Sequence, residues 1–535
     1  MLETGPPPVL PRPRVASPGE WSNLGAGTRY DATGGGSGFR VTGVLLAATI
    51  LVAAAAVVIP GTVGPGLGIL AVGVGVALVL SGLNSPVLAM VLLLVTLFFR
   101  QAFKIEALPA EPFLFAFAGV LGAGAIALTR RTSHAPQFGP VEAAMALFII
   151  WCIGSALIPH TYPEDDGSPS YYFIITSTLI PFTLYVIGRV VFERERAVRV
   201  LLGTVVGFFA YSILVSIMQF HAPSLVWPQY IVQFPDGDAW SDRAVGIFAN
   251  PVENGFMLVV GFLVSLHLAR QDGARIAARI GLYLLCFVSL YAIYLTHTRI
   301  VWLIFGLALM VGTTLLPRMR VICLPIMVVT TAAVAVNWAS FVSDDRDAGG
   351  VTSSHEIDDR LNMIATAWWA LGEHPVLGWG IGRFISVNTY HHQQWSQDVP
   401  WFRGYGIVSH FNELGIATEL GLIGLVLWLA ILFLLSRSVL RAVRTLPREG
   451  VAGRDLAVLA AVVFFFWIIT GLTVDLRYLG FMSALVMLLV GVVVGAADRQ
   501  QLAGSAGSAS DGKESPERTA ADDELDLDEL WVSPR

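Results

Sequence analysis

Long apolar runs separated by short polar loops make up most of the chain between residues 41 and 497. Runs of roughly 20 residues are long enough for a helix to cross about 30 Å of membrane hydrocarbon. About fourteen candidate spans follow from this pattern. They lie at residues 41–60, 65–82, 85–99, 112–129, 141–158, 172–190, 199–219, 252–270, 279–295, 300–316, 321–338, 411–436, 455–472 and 477–496. The pattern predicts an all-α polytopic membrane protein with about 12 to 14 transmembrane helices.

The composition agrees with this prediction, since 55% of the 535 residues are hydrophobic and only 13% are charged. The formal net charge of -6 is local, because residues 498–535 hold ten acidic and four basic side chains. The apolar body is therefore close to neutral and offers no basic surface for a nucleic acid. Cys152, Cys286 and Cys323 lie far apart within apolar runs, so we expect buried core residues rather than disulfides or metal ligands.

Basic loops indicate the orientation, because short loops rich in Arg and Lys stay cytoplasmic. Successive basic loops are separated by two spans each, so all of them fall on one side. They lie at residues 130–134, 189–199, 270–279, 318–320 and 437–454. We therefore expect both chain ends in the cytoplasm, and the long loops 220–251 and 339–410 on the outer side of the membrane.

This orientation divides the chain into five segments. The first 40 residues lack a hydrophobic region and are rich in Pro and Gly, which favours a disordered tail over a signal peptide. The predicted segments are a cytoplasmic tail (1–40), a transmembrane block with the outer loop 220–251 (41–338), a large extracytoplasmic loop (339–410), C-terminal transmembrane helices (411–497) and an acidic disordered tail (498–535).

The large loop contains a helical pattern. In "SSHEIDDRLNMIATAWWALGEHP", a Ser and acidic start precedes Ile357, Leu361, Ile364, Ala365 and Trp368 at helical spacing. This predicts an amphipathic helix on the outer membrane surface. The following "GWGIGRF", from Gly378 to Phe384, should break that helix in a tight turn.

Four cationic or titratable side chains share the predicted outer side: Arg243, Arg299, Arg360 and His410. A single arginine at a membrane boundary is often only a snorkelling anchor. Two or three guanidinium groups aimed at one place would instead hold a lipid diphosphate bidentately. His410 is suited to accept a hydroxyl proton, and Glu413, three residues later, is placed to fix its tautomer.

Other polar clusters are weaker candidates. The acidic "DDRD" at 344–347 lies in a stretch rich in Asp and Gly and is expected to be a solvated loop. The "HH" at 391–392 has no carboxylate or thiol at ligand spacing. "GWGIG" does not follow a strand, so it is not a phosphate loop. We therefore expect neither a metal nor a cofactor.

The chain resembles the bacterial O-antigen ligase and O-antigen polymerase superfamily. Ligases of that group carry an arginine followed after three residues by an aliphatic one, as in "RLNMI" from Arg360. They also carry a histidine followed after ten residues by glycine, as with His410 and Gly421. "HPVLGWGIGRF" and "RAVGIFANPVENG" look like further parts of the family pattern. An Asn commonly follows the histidine there, whereas here Phe411 precedes Asn412.

The resemblance implies a glycosyltransferase of the GT-C type in surface polysaccharide biosynthesis. Such an enzyme moves a glycan from a polyprenyl diphosphate, such as undecaprenyl diphosphate, to a hydroxyl of a glycan, lipid or protein acceptor, with inversion. It needs no metal or nucleotide-sugar and works on the outer face of the plasma membrane. The implied catalytic residues are His410, Arg360 and Arg243, and the implied substrate contacts are Arg299, Asn250, Asn254, Asn412 and Glu413.

Three functions remain open from the sequence. Ligation of a finished glycan and polymerisation of repeats on the lipid carrier use the same donor, so the arginines cannot separate them. A transporter or lipid flippase would favour ionisable residues within the spans and broken helices near the midplane. The clustering of charge at one interface favours an enzyme.

Overall fold

The computed structural model describes residues 85–103, 111–130, 138–162, 169–233, 240–341, 354–401 and 406–511. The predicted spans 41–60 and 65–82, the N-terminal tail and the acidic cluster at 344–347 lie outside the described residues.

The described residues form an all-helical bundle, with no strand among them. Twelve apolar helices correspond to the twelve predicted spans that fall within these residues. Two further helices, α10 and α11, belong to the large loop. The helices are α1 (Pro86–Phe98), α2 (Pro112–Arg130), α3 (Pro140–Leu157), α4 (Ser170–Val191), α5 (Glu195–His221), α6 (Pro251–Ala269), α7 (Ile276–Tyr294), α8 (Arg299–Thr314), α9 (Arg320–Val336), α10 (Ser354–Glu373), α11 (Phe384–Tyr390), α12 (Asn412–Thr445), α13 (Arg454–Gly471) and α14 (Gly480–Asp511).

Helix length separates the twelve apolar helices into two groups. Eight of them, α3 to α7 and α12 to α14, are long and apolar enough to cross a membrane. The other four, α1, α2, α8 and α9, are too short to be counted with them, and only Pro112–Ala125 of α2 is described in full. A polytopic membrane protein is therefore confirmed, and the predicted total of about 12 to 14 spans stays a prediction.

Two helices, α6 and α14, form the centre of the bundle, and nearly all of their residues are buried. Helix α14 packs along α4, and α6 packs between α5 and α7. At Gly491 and Gly495, α14 lies so close to the backbone of α4 at Tyr185 and Arg189 that no Cβ would fit. Small residues thus bring these two helices together, as is common in membranes.

Helix α10 confirms the helix predicted for the large loop, and its buried face holds both polar residues and the apolar Met363, Ala367 and Ala370. Asp359, Asn362 and Thr366 are buried against the bundle, whereas Ile357 and Trp368 of the predicted apolar face are exposed. This face is thus available to lipid, as expected for a surface helix. Its position on the membrane stays a prediction.

A break in α12 receives the glycine-rich turn. Gly421 has φ 66° and ψ −171° within the helix, and Gly378, Gly380 and Gly382 of the turn all have positive φ. The N–H groups of Trp379 and Gly380 donate to the α12 carbonyls of Thr418 and Glu419 at 2.9 and 2.8 Å. The predicted tight turn is confirmed, and the turn satisfies carbonyls that the helix break frees.

Two further expectations can be compared with the fold. All three cysteines are buried and unpaired, as predicted. The last helix continues to Asp511, so residues 498–511 are helical, and the expectation of a disordered tail from residue 498 is wrong for them. Residues 499–503, with the sequence RQQLA, are all good helix formers, which permits the helix to extend beyond the span.

Candidate functional site

A cavity of about 780 Å³ opens at the end of the bundle where α6, α8 and α12 begin, and α10 covers one side of it. We call it the main cavity. All four predicted groups, Arg243, Arg299, Arg360 and His410, line it. Four separate chain segments therefore converge on one place, which is what the sequence hypothesis required. The lining also includes Trp240, Asn250, His297, Glu356, Asp359, Asp475 and Tyr478.

Glu356 contacts two of the three arginines. Its Oε1 accepts a hydrogen bond from Nη2 of Arg243 at 2.9 Å, and its Oε2 lies 4.0 Å from Nη2 of Arg299. Arg360 follows Glu356 by one turn of α10. The carboxylate holds the guanidinium groups that it contacts in fixed positions, because charge-assisted hydrogen bonds are strong and directional.

The arginines are partly withdrawn from solvent. Burial lowers the pKa of Arg360, Glu356 opposes that change, and Arg299 and Arg243 add to it. An arginine starts from so high a pKa that it stays charged at physiological pH. The cavity therefore keeps three permanent positive charges close together, which suits a ligand with more than one negative charge.

The turn before α8 places Arg243 beside Arg299. His297 has a left-handed backbone, with φ 42°, and its Nδ1 donates to the carbonyl of Asp242 at 2.6 Å. The N–H of Ala244 donates to the carbonyl of Leu295 at 2.8 Å. A non-glycine residue in this conformation persists only when its surroundings hold it there. These bonds tie the segment that carries Arg243 to the start of α8.

His410 lies just before α12, and one backbone contact fixes its tautomer. Its Nδ1 is 3.1 Å from the carbonyl oxygen of Val408, and since a carbonyl only accepts, Nδ1 must carry the proton. In the neutral imidazole, Nε2 is then the basic nitrogen.

Glu413 does not meet His410, so the sequence expectation for this pair is wrong. Its Oε1 instead accepts from Nε1 of Trp428 and Nδ2 of Asn412, both at 3.4 Å. The helix turns Glu413 into the bundle towards Trp428. The carbonyl of Val408 performs the orienting role that the sequence assigned to Glu413.

The asparagines and the glutamate predicted to contact the substrate fall into two groups, one inside and one outside the lining of the main cavity. Asn250 lines the main cavity, and its Oδ1 caps α6 by accepting from the N–H groups of Val252 and Glu253. Asn254 is buried and donates to Ser216 and to the carbonyl of Ala244. Among the residues that the structure describes, Asn254, Asn412 and Glu413 do not line the cavity. Their predicted role as substrate contacts stays a prediction.

A buried charge network next to the cavity was not predicted. Arg477 donates to Asp475 from Nε at 2.9 Å and from Nη2 at 2.6 Å, and its Nη1 donates to Glu419. Glu419 also accepts from the N–H groups of Gly382 and Phe384 at 2.9 and 3.0 Å. Because Asp475 lines the cavity, the network joins the glycine-rich turn to the cavity wall.

Carboxylates from two chain segments favour the charged form of Arg477. Burial lowers the pKa of Arg477, but Asp475 and Glu419 raise it well above its usual value. The available sequence signal was a carboxylate inside an apolar run, at Glu419, and an arginine between the last two spans. Such residues in a membrane protein are usually paired and functional.

The two neighbouring histidines of the large loop have other contacts. His391 bonds to the hydroxyl of Tyr162, and Nδ1 of His392 lies 3.2 Å from Oδ1 of Asn388. The ring of His392 also packs on Trp401. Across the described ranges, no group of three or more His, Cys, Asp or Glu side chains could hold a metal ion.

Residues 284–429 match the family model described as O-antigen ligase. The predicted family is thereby confirmed. The matched region runs from α7 into α12 and contains Arg299, Arg360 and His410, whereas Arg243 precedes it. No curated protein matches the chain significantly. The O-antigen ligase match supports a membrane enzyme of the ligase and polymerase superfamily.

Proposed function

We propose that the protein is a glycosyltransferase that moves a glycan from a polyprenyl diphosphate, such as undecaprenyl diphosphate, to an acceptor hydroxyl. The observation that carries the proposal is the convergence of Arg243, Arg299, Arg360 and His410 on the main cavity. The O-antigen ligase match makes ligation the favoured form of this transfer. The reaction would take place on the outer face of the plasma membrane.

The arginines would bind the diphosphate of the donor. Guanidinium groups match phosphate oxygens in pairs and remain charged throughout the reaction. As the bond from the sugar to the diphosphate breaks, negative charge grows on the leaving oxygen, and preplaced cations stabilise it. Protein side chains can thus supply the positive charge that the step requires.

His410 would act as the general base. Nε2 of the tautomer set by Val408 takes the proton of the acceptor hydroxyl. The hydroxyl oxygen forms a bond to the anomeric carbon, and the bond from that carbon to the diphosphate oxygen breaks. The electron pair leaves with the polyprenyl diphosphate. Attack opposite the leaving group inverts the anomeric centre, as expected of a GT-C enzyme.

A transporter is the alternative from another class of protein. Its broken helices and ionisable residues should line a cavity near the middle of the membrane. The break at Gly421 is instead filled by the turn around Gly378, and Glu419 bonds to that turn and to Arg477. Within the described residues, neither Gly421 nor Glu419 lines the main cavity. This arrangement supports an enzyme.

The test is transfer by the purified protein from a polyprenyl-diphosphate oligosaccharide, with and without candidate acceptors, followed by product sizing. We expect one glycan block on a new acceptor, which is ligation. A ladder of repeats that remains on the carrier would assign polymerisation. Absence of transfer with every donor and acceptor pair, by a protein that is folded and inserted, would overturn the proposal.

A further inference from the structure

A second pocket of about 220 Å³ adjoins the main cavity. We call it the side pocket. Trp240, Asn250, Tyr478 and Leu479 line both spaces, so the two are neighbours across one wall. The pocket lies at the same end of the bundle, between the end of α1 and the starts of α6 and α14. A ligand group in it would therefore be close to the proposed reaction centre.

Five aromatic side chains form one wall of the side pocket. Phe98, Phe248 and Phe481 contact one another with ring centroids 5.2 to 5.3 Å apart, and Trp240 and Tyr478 complete that wall. The lining also includes the polar side chains of Arg100, Gln101, Thr176, Asn250 and Glu253. Aromatic walls with a few placed polar groups are typical of sites for small organic ligands.

Glu253 is the unusual member of this lining. It is only 7% exposed, and its Oε1 accepts from the N–H of Met482 at 2.9 Å. Among the described residues, no cation forms an ion pair with it, and the nearby Arg100 pairs with Glu111 at 2.8 Å. A carboxylate buried in an apolar bundle without an ion pair is costly.

Helix capping explains only part of this cost. The N–H of Met482 is in the first turn of α14 and needs an oxygen acceptor, which a glutamine would supply equally well. A carboxyl group rather than an amide therefore has no structural necessity at this place. A second energetically unfavourable feature of the same lining is the left-handed backbone of Ala249, with φ 50°.

We infer that the side pocket is a subsite for one sugar ring of a substrate, with Glu253 accepting hydrogen bonds from its hydroxyl groups and the aromatic rings covering its apolar face. The volume is below the roughly 300 to 1,000 Å³ of sites for drug-sized ligands, so a single ring fits better than a chain. The inference rests on the proposed function. The ring belongs either to the donor glycan or to the acceptor.

The first test compares the Glu253→Gln variant with the wild type in steady-state transfer, varying donor and acceptor separately. We expect KM for one of the two substrates to rise about tenfold or more, since hydrogen bonds to a charged group are the stronger class. The other KM and the melting temperature should stay close to wild type. The substrate whose KM rises is the one that supplies the sugar ring.

The control for loss of a buried helix-capping carboxylate is Glu142→Gln, which also removes an ion pair with Arg189. Glu142 is also a buried glutamate at the third position of a helix that begins with proline, and it also accepts a backbone N–H, that of Gly139 at 2.8 Å. It lies outside both lining sets. A Phe481→Leu variant should share the KM increase of Glu253→Gln. Unchanged KM values in both side-pocket variants, or a loss in kcat and melting temperature equal to that of the control, would overturn the inference.

A binding measurement separates this inference from the proposed function. The purified protein is titrated with the free oligosaccharide, and separately with a polyprenyl diphosphate that carries no sugar. We expect Glu253→Gln to weaken only the oligosaccharide and Arg360→Ala to weaken only the diphosphate. If the wild type binds the oligosaccharide but performs no transfer, the proposed function fails alone. If the wild type does not bind it, the sugar subsite is refuted.

Discussion

Replacement of Gly421 by alanine tests how the large loop is held against the transmembrane bundle. The backbone of Gly421, with φ 66° and ψ −171°, lies in a region that essentially only glycine adopts. A Cβ there would be 2.9 Å from the amide nitrogen of Gly378 and closer still to the carbonyl of Val376. Both are backbone atoms, so no side-chain rotation can relieve the contact.

The expected cost has two parts. The conformation alone costs about 1 to 3 kcal/mol for a non-glycine residue. Overpacking against a rigid neighbour adds about 1 to 3 kcal/mol. The turn can avoid the second part only by leaving the helix, which breaks the bonds from Trp379, Gly380 and Leu422 to their carbonyl partners.

The measurements are thermal denaturation of the detergent-purified protein and the rate of glycan transfer. We expect a lower melting temperature and at least a tenfold lower rate, because the turn also binds Glu419 and through it Arg477 and Asp475 at the cavity wall. Gly306→Ala is the control, since a Cβ there meets open space and alanine favours the helix. A Gly421→Ala protein as stable and active as this control would refute the reasoning.

Three further predictions concern the main cavity. Arg360→Ala and His410→Ala should each abolish transfer without loss of membrane insertion. Arg360→Lys should restore little activity, because a point charge cannot reproduce the guanidinium fork. Full activity in either alanine variant would contradict the proposed mechanism. Glu356→Gln should raise the donor KM several-fold with a smaller change in kcat, because it weakens the contacts that position Arg243 and Arg299. Transfer rates measured at varied donor concentration check this. Arg477→Ala should destabilise the fold by about 3 to 5 kcal/mol, measured by denaturation, because it leaves buried carboxylates unpaired.

The apolar periodicity predicted all twelve described spans to within a few residues at most ends. The longest disagreement is at α14, which extends past residue 497 to Asp511. Hydropathy ends a span where polar residues begin, but a helix ends only where its backbone hydrogen bonds find other partners. The sequence pattern therefore located the membrane body better than the ends of its helices.

The candidate site was predictable for residues whose chemistry is rare at a membrane boundary. Arg243, Arg299, Arg360 and His410 stand out in so apolar a chain, and the structure brings them together. Glu413 was assigned by helical spacing alone, which says that two residues can meet but not which way a helix faces the rest of the bundle.

The charge network around Arg477 could not be predicted from the sequence. Its partners Asp475 and Glu419 are separated by an entire transmembrane helix, α13, so no local spacing connects Glu419 to the other two. Tertiary packing alone brings them together. The same holds for the side pocket, whose lining is drawn from α1, α4, α6 and α14 and from the segments beside them.

The docking of the glycine-rich turn also sets an order for assembly of the chain. Trp379 and Gly380 are synthesised before Thr418 and Glu419, whose carbonyls accept their N–H groups. Gly382 and Phe384 likewise wait for the carboxylate of Glu419, which in turn waits for Arg477. The loop thus completes these contacts only after Arg477 has been synthesised, so a chain interrupted before the end of α13 carries the arginines proposed for catalysis without a finished site.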